Sequence, residues 1–147
     1  MWERSYQALQ RRLASLFPEV SAWYVGSCPE SPVRPAIAVQ LMQAEDERSG
    51  AWTLSSAASW QIIYVPALVN GLPDGMSQLR AAERIRSDLS RQRQLRGMDG
   101  DVFDLVSVKG GTRAHDTFVR VTLTAEEELP QEQYDQVKQI LVHYKEE

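Results

Sequence analysis

The side chains most used by catalysts and metal sites are scarce in this chain: one cysteine, Cys28, and two histidines, His115 and His143. One cysteine excludes an internal disulfide framework and any cysteine-rich zinc site. Basic charge is also short, with 16 Lys and Arg against 20 Asp and Glu and a net charge of −4, which excludes a polybasic nucleic-acid coat. No apolar run approaches the roughly 18 residues that a membrane helix needs. The first residues, MWERSYQALQRR, are charged and amphipathic, unlike a secretory signal. What is present is ordinary globular composition: 147 residues, 43% of them hydrophobic, enough for one domain with a real core. The expectation is a single domain over 1–147, made in a reducing cytoplasm, with no membrane partner.

Trp2, Tyr6, Leu9, Leu13 and Leu16 recur at helical spacing and predict a first helix that Pro18 ends. Ala22 to Ser27 reads as a short strand, and CPESPVRP after it as an extended connection or sheet edge. Ala36 to Met42 alternates and predicts a second strand. Gln43 to Ser56 is strongly polar and reads as a long hairpin connection carrying Glu45, Asp46, Arg48 and an isolated Trp52. In the strand that follows, Trp60, Ile62 and Tyr64 share one face and Ile63 and Val65 the other, the pattern of a central strand.

Asn70 to Gly75 is a loop signal, with Asp74 placed to cap a long helix from Met76 to Arg93. Met76, Leu79, Ala82, Ile85 and Leu89 form its expected apolar stripe. Val102 to Val108 and Thr117 to Leu123 flank KGGTRAHD, whose two glycines suggest a tight reversal. A terminal helix is expected after Pro130. These elements give an α+β fold: a mostly antiparallel or mixed twisted sheet of four to five strands, with two to three helices packed on it.

The search for chemistry finds little. His115 and Asp116 are neighbours in sequence, and neighbours on a strand point to opposite faces, so they make a poor catalytic pair. His143 is explained by a helix C-terminus. Asp99 and Asp101 lack the remaining positions of a calcium loop, and the carboxylates of Glu126 to Glu128 read as a solvated surface. Gly110-Gly111 stands without the residues of a phosphate-binding loop. Cys28 has no evident histidine partner. No catalytic residue, metal site or cofactor is expected.

One electrostatic feature stands out. Six arginines and two acids lie between Arg80 and Arg96, with Arg80, Arg84 and Arg91 along one line and Arg86 and Arg93 along a second. Two readings stay open: a solvated helix face, or a basic surface for an acidic neighbouring subunit. Sequence-specific nucleic-acid binding would add stacking aromatics or a reading helix, and neither is present. From Ala125 to Glu147 there are seven acids against two lysines, so the terminal segment of a second copy would complement the arginines in a head-to-tail ring.

The order of elements, with LFPEVSAWYV ending the first helix, RPAIAVQL, SWQIIYVP, a long helix and VFDLVSVKGG…HDTFVRVTLT, resembles the small tail terminator proteins of tailed phages and of phage-derived particles from Gram-positive bacteria. The resemblance spans about Leu9 to Leu141. It implies a non-enzymatic subunit of a virion or tail-like particle, assembled in the bacterial host cytoplasm. Such a subunit forms a hexameric ring that caps the tail tube, stops its growth and offers a surface to the connector, collar or sheath. The expected partners are other copies of the chain, the tube protein, and the connector, collar or sheath protein. The residues expected at these interfaces are Glu45, Asp46, Arg48 and Trp52 of the polar loop, Arg80, Arg84 and Arg91 of the long helix, and Lys109 and Arg113 of the late hairpin. Rival readings are another head-completion or tail-tube subunit, a stand-alone protein-binding adaptor, and a small hydrolase using His115.

Overall fold

The structure, a computed structural model, describes residues 1–129. The expected terminal helix, His143 and most of the acidic terminal segment lie outside the described residues. Helix α1 spans Trp2–Leu16, followed by β1 (Ala22–Val25), β2 (Ala36–Arg48) and β3 (Thr53–Val65). A small hairpin of β4 (Leu68–Val69) and β5 (Leu72–Pro73) leads into α2 (Gly75–Arg91). The chain closes with β6 (Gln94–Arg96), β7 (Val102–Arg113) and β8 (Asp116–Glu128).

The α+β expectation holds, with one correction in number. The main sheet has six strands in the order β1-β2-β3-β8-β7-β6, and β4 pairs only with β5. All its pairings are antiparallel except β1 with β2, which run parallel and are joined by the proline-rich segment 26–35. That connection carries no helix, because β1 sits at the sheet edge and the chain only has to run back along it.

Both helices contribute to one core against one face of the sheet. Leu9 and Leu13 of α1 and Ile85 and Leu89 of α2 are fully enclosed with Ile37, Val39, Ile62, Val119, Val121 and Leu123 of the strands. Polar bonds pin the cover. The Trp60 indole donates to Ser5 Oγ at 3.2 Å. The Gln78 amide donates to the Tyr64 carbonyl and to Asp116 Oδ1, each at 3.1 Å, and its oxygen accepts from Thr117 N–H. Asp74 caps α2 as expected, accepting from Met76 N–H at 3.2 Å and from the Ser77 hydroxyl at 2.9 Å.

The helical stripes run differently from their sequence reading. Trp2, Met76 and Leu79 stand 53%, 54% and 49% exposed, while Gln78 and Ala81 are buried. Rotating the buried stripe of α2 onto Gln78, Ala81, Ala82, Ile85 and Leu89 lets three hydrogen bonds from Gln78 replace the burial of two apolar side chains. The helix ends at Arg91, two residues short of the expectation, because Arg93 and Gln94 turn into β6: Leu105 N–H donates to the Arg93 carbonyl at 2.9 Å.

Two expected loops are strands. Glu45, Asp46, Glu47 and Arg48 pair with Ala57, Ser56, Ser55 and Leu54, so the reversal is confined to residues 49–52. Charged side chains are compatible with strand geometry at a sheet edge, where they stay in water and discourage uncontrolled pairing. In the late hairpin the glycines lie within β7, and the reversal falls at Ala114 and His115 between the Arg113–Asp116 pair, with Ala114 at φ 55°. Gly111 is explained by packing: a Cβ there would stand 3.1 Å from the Phe118 ring, which covers it from the opposite strand.

Candidate interaction surface

Because β2, β3 and β8 run so far together, one end of the sheet gathers carboxylates. Glu47 lies across from Ser55, which lies across from Glu126; Thr53 lies across from Glu128. Alternation puts Glu45, Glu47, Glu126 and Glu128 on the face away from the helices, and Asp46 and Glu127 on the helix side. The helix-side acids are held. Ser56 donates to Asp46 Oδ1 at 2.6 Å, and Glu127 meets the N-terminal ammonium at 3.1 Å and Arg4 at 2.7 Å. On the open face Glu45 accepts from the Gln43 amide at 3.1 Å. Trp52, at the tip, accepts the Leu129 N–H at its carbonyl.

The other expected interface residues lie elsewhere, in two further groups. Arg80, Arg84 and Arg91 line α2, but not as one free surface. The Arg84 guanidinium stacks 5.1 Å over the Phe17 ring, Arg91 donates to Ser87 Oγ at 3.3 Å, and Arg80 helps to hold the Asp74 carboxyl below the usual range, after the Ser77 and backbone bonds. Lys109 and Arg113 are exposed on β7, on the same open face as Glu45 and Glu47. The expected nine residues therefore form an acidic tip, a basic helix and a basic strand.

Between tip and basic strand the open face is a polar ladder. Ser59 and Thr122 hydroxyls meet at 2.8 Å, and Arg120 donates to Gln61 Oε1 at 2.9 Å while stacking 5.2 Å from the Phe118 centroid. A shallow cavity of about 300 Å³ lies over Gln43, Ser59, Lys109 and Arg120. Neither Arg120 nor Gln78 stood out in sequence; their roles depend on which strands become neighbours, and no local spacing encodes that.

A cavity of about 560 Å³ brings Cys28, Arg34, His115 and Asp116 together, although Cys28 and His115 lie far apart along the chain. Partial desolvation pushes the Cys28 thiol up; Arg34 pulls it back and Asp116 adds to the rise. The thiol is thus tuned against the thiolate form a nucleophile needs. Another cavity, of about 600 Å³, is lined by Arg11, Arg12, Arg96 and Asp101. There Arg12 is committed to Asp88, with its Nε at 2.7 Å from one carboxylate oxygen and its Nη2 on the other. Among the described residues no group of three or more His, Cys, Asp or Glu is arranged to hold a metal ion, and no helix is long and apolar enough to cross a membrane.

Compared with protein-family models and with curated proteins, the chain matches none.

Proposed function

We propose that the protein is a structural assembly subunit that caps the tube of a phage tail or tail-like particle as one member of a ring. The single observation that carries this reading is the separation of charge over the surface of one sheet and the helices packed on it. Carboxylates gather at one end of the sheet, at Glu45, Glu47, Glu126 and Glu128, while exposed cations occupy β7 and α2. A subunit of that kind is complementary to a rotated copy of itself, and like charges discourage a symmetric two-fold contact through either patch. The element order that underlies the resemblance to tail terminators is compatible with this body. In this role the protein binds further copies, the last tube ring, and a connector, collar or sheath subunit, and it uses no cofactor.

The test is to image tail particles assembled with and without the protein. Overlong or ragged tubes in its absence, restored to uniform length when it is added back, are expected. Tubes of normal length with intact ends would overturn the reading.

A further inference from the structure

Both long edges of the main sheet are only half covered among the described strands. β1 pairs with Ala36 to Val39 of β2, leaving Gln40 to Arg48 with no strand on the outer side. β6 pairs with Val102 to Asp104 of β7, and Arg93 takes the Leu105 N–H, leaving Val106 to Arg113 likewise open. Open strand edges present rows of backbone donors and acceptors to any strand that fits. The two edges differ in sign. β2 carries Glu45, Asp46 and Glu47 beside Arg48; β7 carries Lys109 and Arg113.

We infer that the open edge of β2 pairs with the open edge of β7 from a second copy of this chain, antiparallel and in the register that sets Glu47 opposite Lys109. This deepens the ring reading and rests on it for its biological role, though not for its geometry. Three features select the arrangement. Strand directions alternate from β2 through β3 and β8 to β7, so continuing the sheet from β7 of one copy to β2 of the next is antiparallel.

Charge selects the pairing of unlike edges. β2 against β2 would oppose Glu45 and Glu47 to themselves, and β7 against β7 would oppose Lys109 and Arg113; like charges across a strand pair are unfavourable. With Glu47 opposite Lys109, Glu45 faces Gly111 and lies diagonal to Arg113, within reach of a long side chain. All of these side chains then stand on the open face of one continuous sheet, with the helices of both copies on the other.

Shape selects the register. Gln43 to Arg48 lies along Val108 to Arg113, between the irregularity at Met42 and the one at Val106. The Ala114–His115 reversal then falls beside Leu41 and Met42, just past the Val25–Val39 pair where β1 ends. The residues that β6 covers, Val102 to Asp104, fall beyond Arg48, where β2 has ended. Each short edge strand thus occupies the space its neighbour leaves. Being heterologous, the contact repeats from copy to copy and makes a ring where the rotation between copies closes.

The test uses the purified full chain, concentrated, in a Cys28→Ser background. Within one molecule β2 and β7 are separated by β3 and β8, about 14 Å across at the usual strand spacing, too far for a disulfide. Glu47→Cys combined with Lys109→Cys is therefore expected to oxidise into a ladder of covalent multimers, while either variant alone stays monomeric. Charge reversal supplies the second measurement. Glu45→Lys with Glu47→Lys, or Lys109→Glu with Arg113→Glu, should weaken self-association about tenfold, and all four changes in one chain should restore it. These side chains are exposed, so circular dichroism should be unchanged. A covalent dimer from Glu47→Cys alone, assembly insensitive to both reversals, or no cross-link in the double variant would overturn the pairing. The ring function fails separately: a ladder that forms while tails terminate normally without the protein leaves the pairing and removes the cap.

Discussion

Leu41, Trp60, Val121 and Val108 form one row across β2, β3, β8 and β7; one residue along, Gln40, Gln61, Arg120 and Lys109 form the next. The first row points under the helices and the second points away from them. Successive residues of the same strands thus serve two surfaces with different physics. The covered face gains by leaving water, and its tolerance is set by packing. The open face ties polar groups to one another within the sheet, through the Ser59–Thr122 and Gln61–Arg120 bonds, although Arg120 Nε is left buried without a partner, and it gains little from burial. Residues on the open face are therefore free to serve an interface at small cost to the fold, which is what the reversal of exposed charges described above exploits.

The covered face is most sensitive at Leu9, which is fully enclosed between α1 and the sheet. Leu9→Ala should cost about 3 kcal/mol in equilibrium urea denaturation, from lost transfer energy and the cavity left behind. A loss under about 1 kcal/mol would mean that α1 can collapse onto the gap, and the two faces would then differ less than their burial implies.

Gln78 is a polar residue buried within the covered half. Its amide bridges the Tyr64 carbonyl, Asp116 and the Thr117 N–H, tying the start of α2 to the ends of β3 and β8. Gln78→Ala should cost about 1–3 kcal/mol by the same measurement, because three partners lose a bond. Gln78→Glu offers a cleaner probe, for a carboxylate cannot donate to the Tyr64 carbonyl and is repelled by Asp116.

How much of this was legible in sequence follows the same division. The covered face announces itself through periodicity: Leu9 and Leu13 in α1, Ile85 and Leu89 in α2, and Trp60 and Ile62 in β3 are all core residues at the expected spacing. The open face is written in residues that also make loops. Gln43 to Ser56 carries almost no apolar alternation, so its strand character comes from the pairing of β2 with β3 and of β3 with β8 and not from local pattern. Gly110 and Gly111 imitate a turn, whereas the need for glycine at position 111 arises from a ring on the facing strand. β6 is three residues long and exists because β7 is there to pair with. Of the expected interface residues, Glu45, Asp46 and Arg48 were readable as a run, but that they lie on β2 while Lys109 and Arg113 lie on β7, on opposite sides of β3 and β8, emerges only from strand order.

On the open face a small, specific result is expected. The Ser59 and Thr122 hydroxyls satisfy each other, so Ser59→Ala alone strands its partner and should cost about 1 kcal/mol. Ser59→Ala with Thr122→Val removes both groups and should return to within about 0.5 kcal/mol of the parent. A double variant no more stable than the single one would mean that the ladder is bonded to something other than itself, and the open face would then carry more of the fold than assigned to it.

The smallest effect concerns the helix that provides the cover. The Ser77 hydroxyl, then the backbone N–H groups of Ser77 and Met76 and the charge of Arg80, hold the Asp74 carboxyl below its usual range. A carboxyl whose folded pKa is depressed contributes stability that is fully present above its unfolded pKa and is lost as pH falls through the folded value. Asp74→Ala should therefore lower the thermal midpoint slightly at neutral pH. The gap to the parent should stay constant down to the onset of carboxylate titration and close in acid, where the parent has lost its ionised cap as well. Measured as paired melts across that range, a gap that persists in strong acid would show that Asp74 holds the start of α2 through its turn geometry and not through its charge.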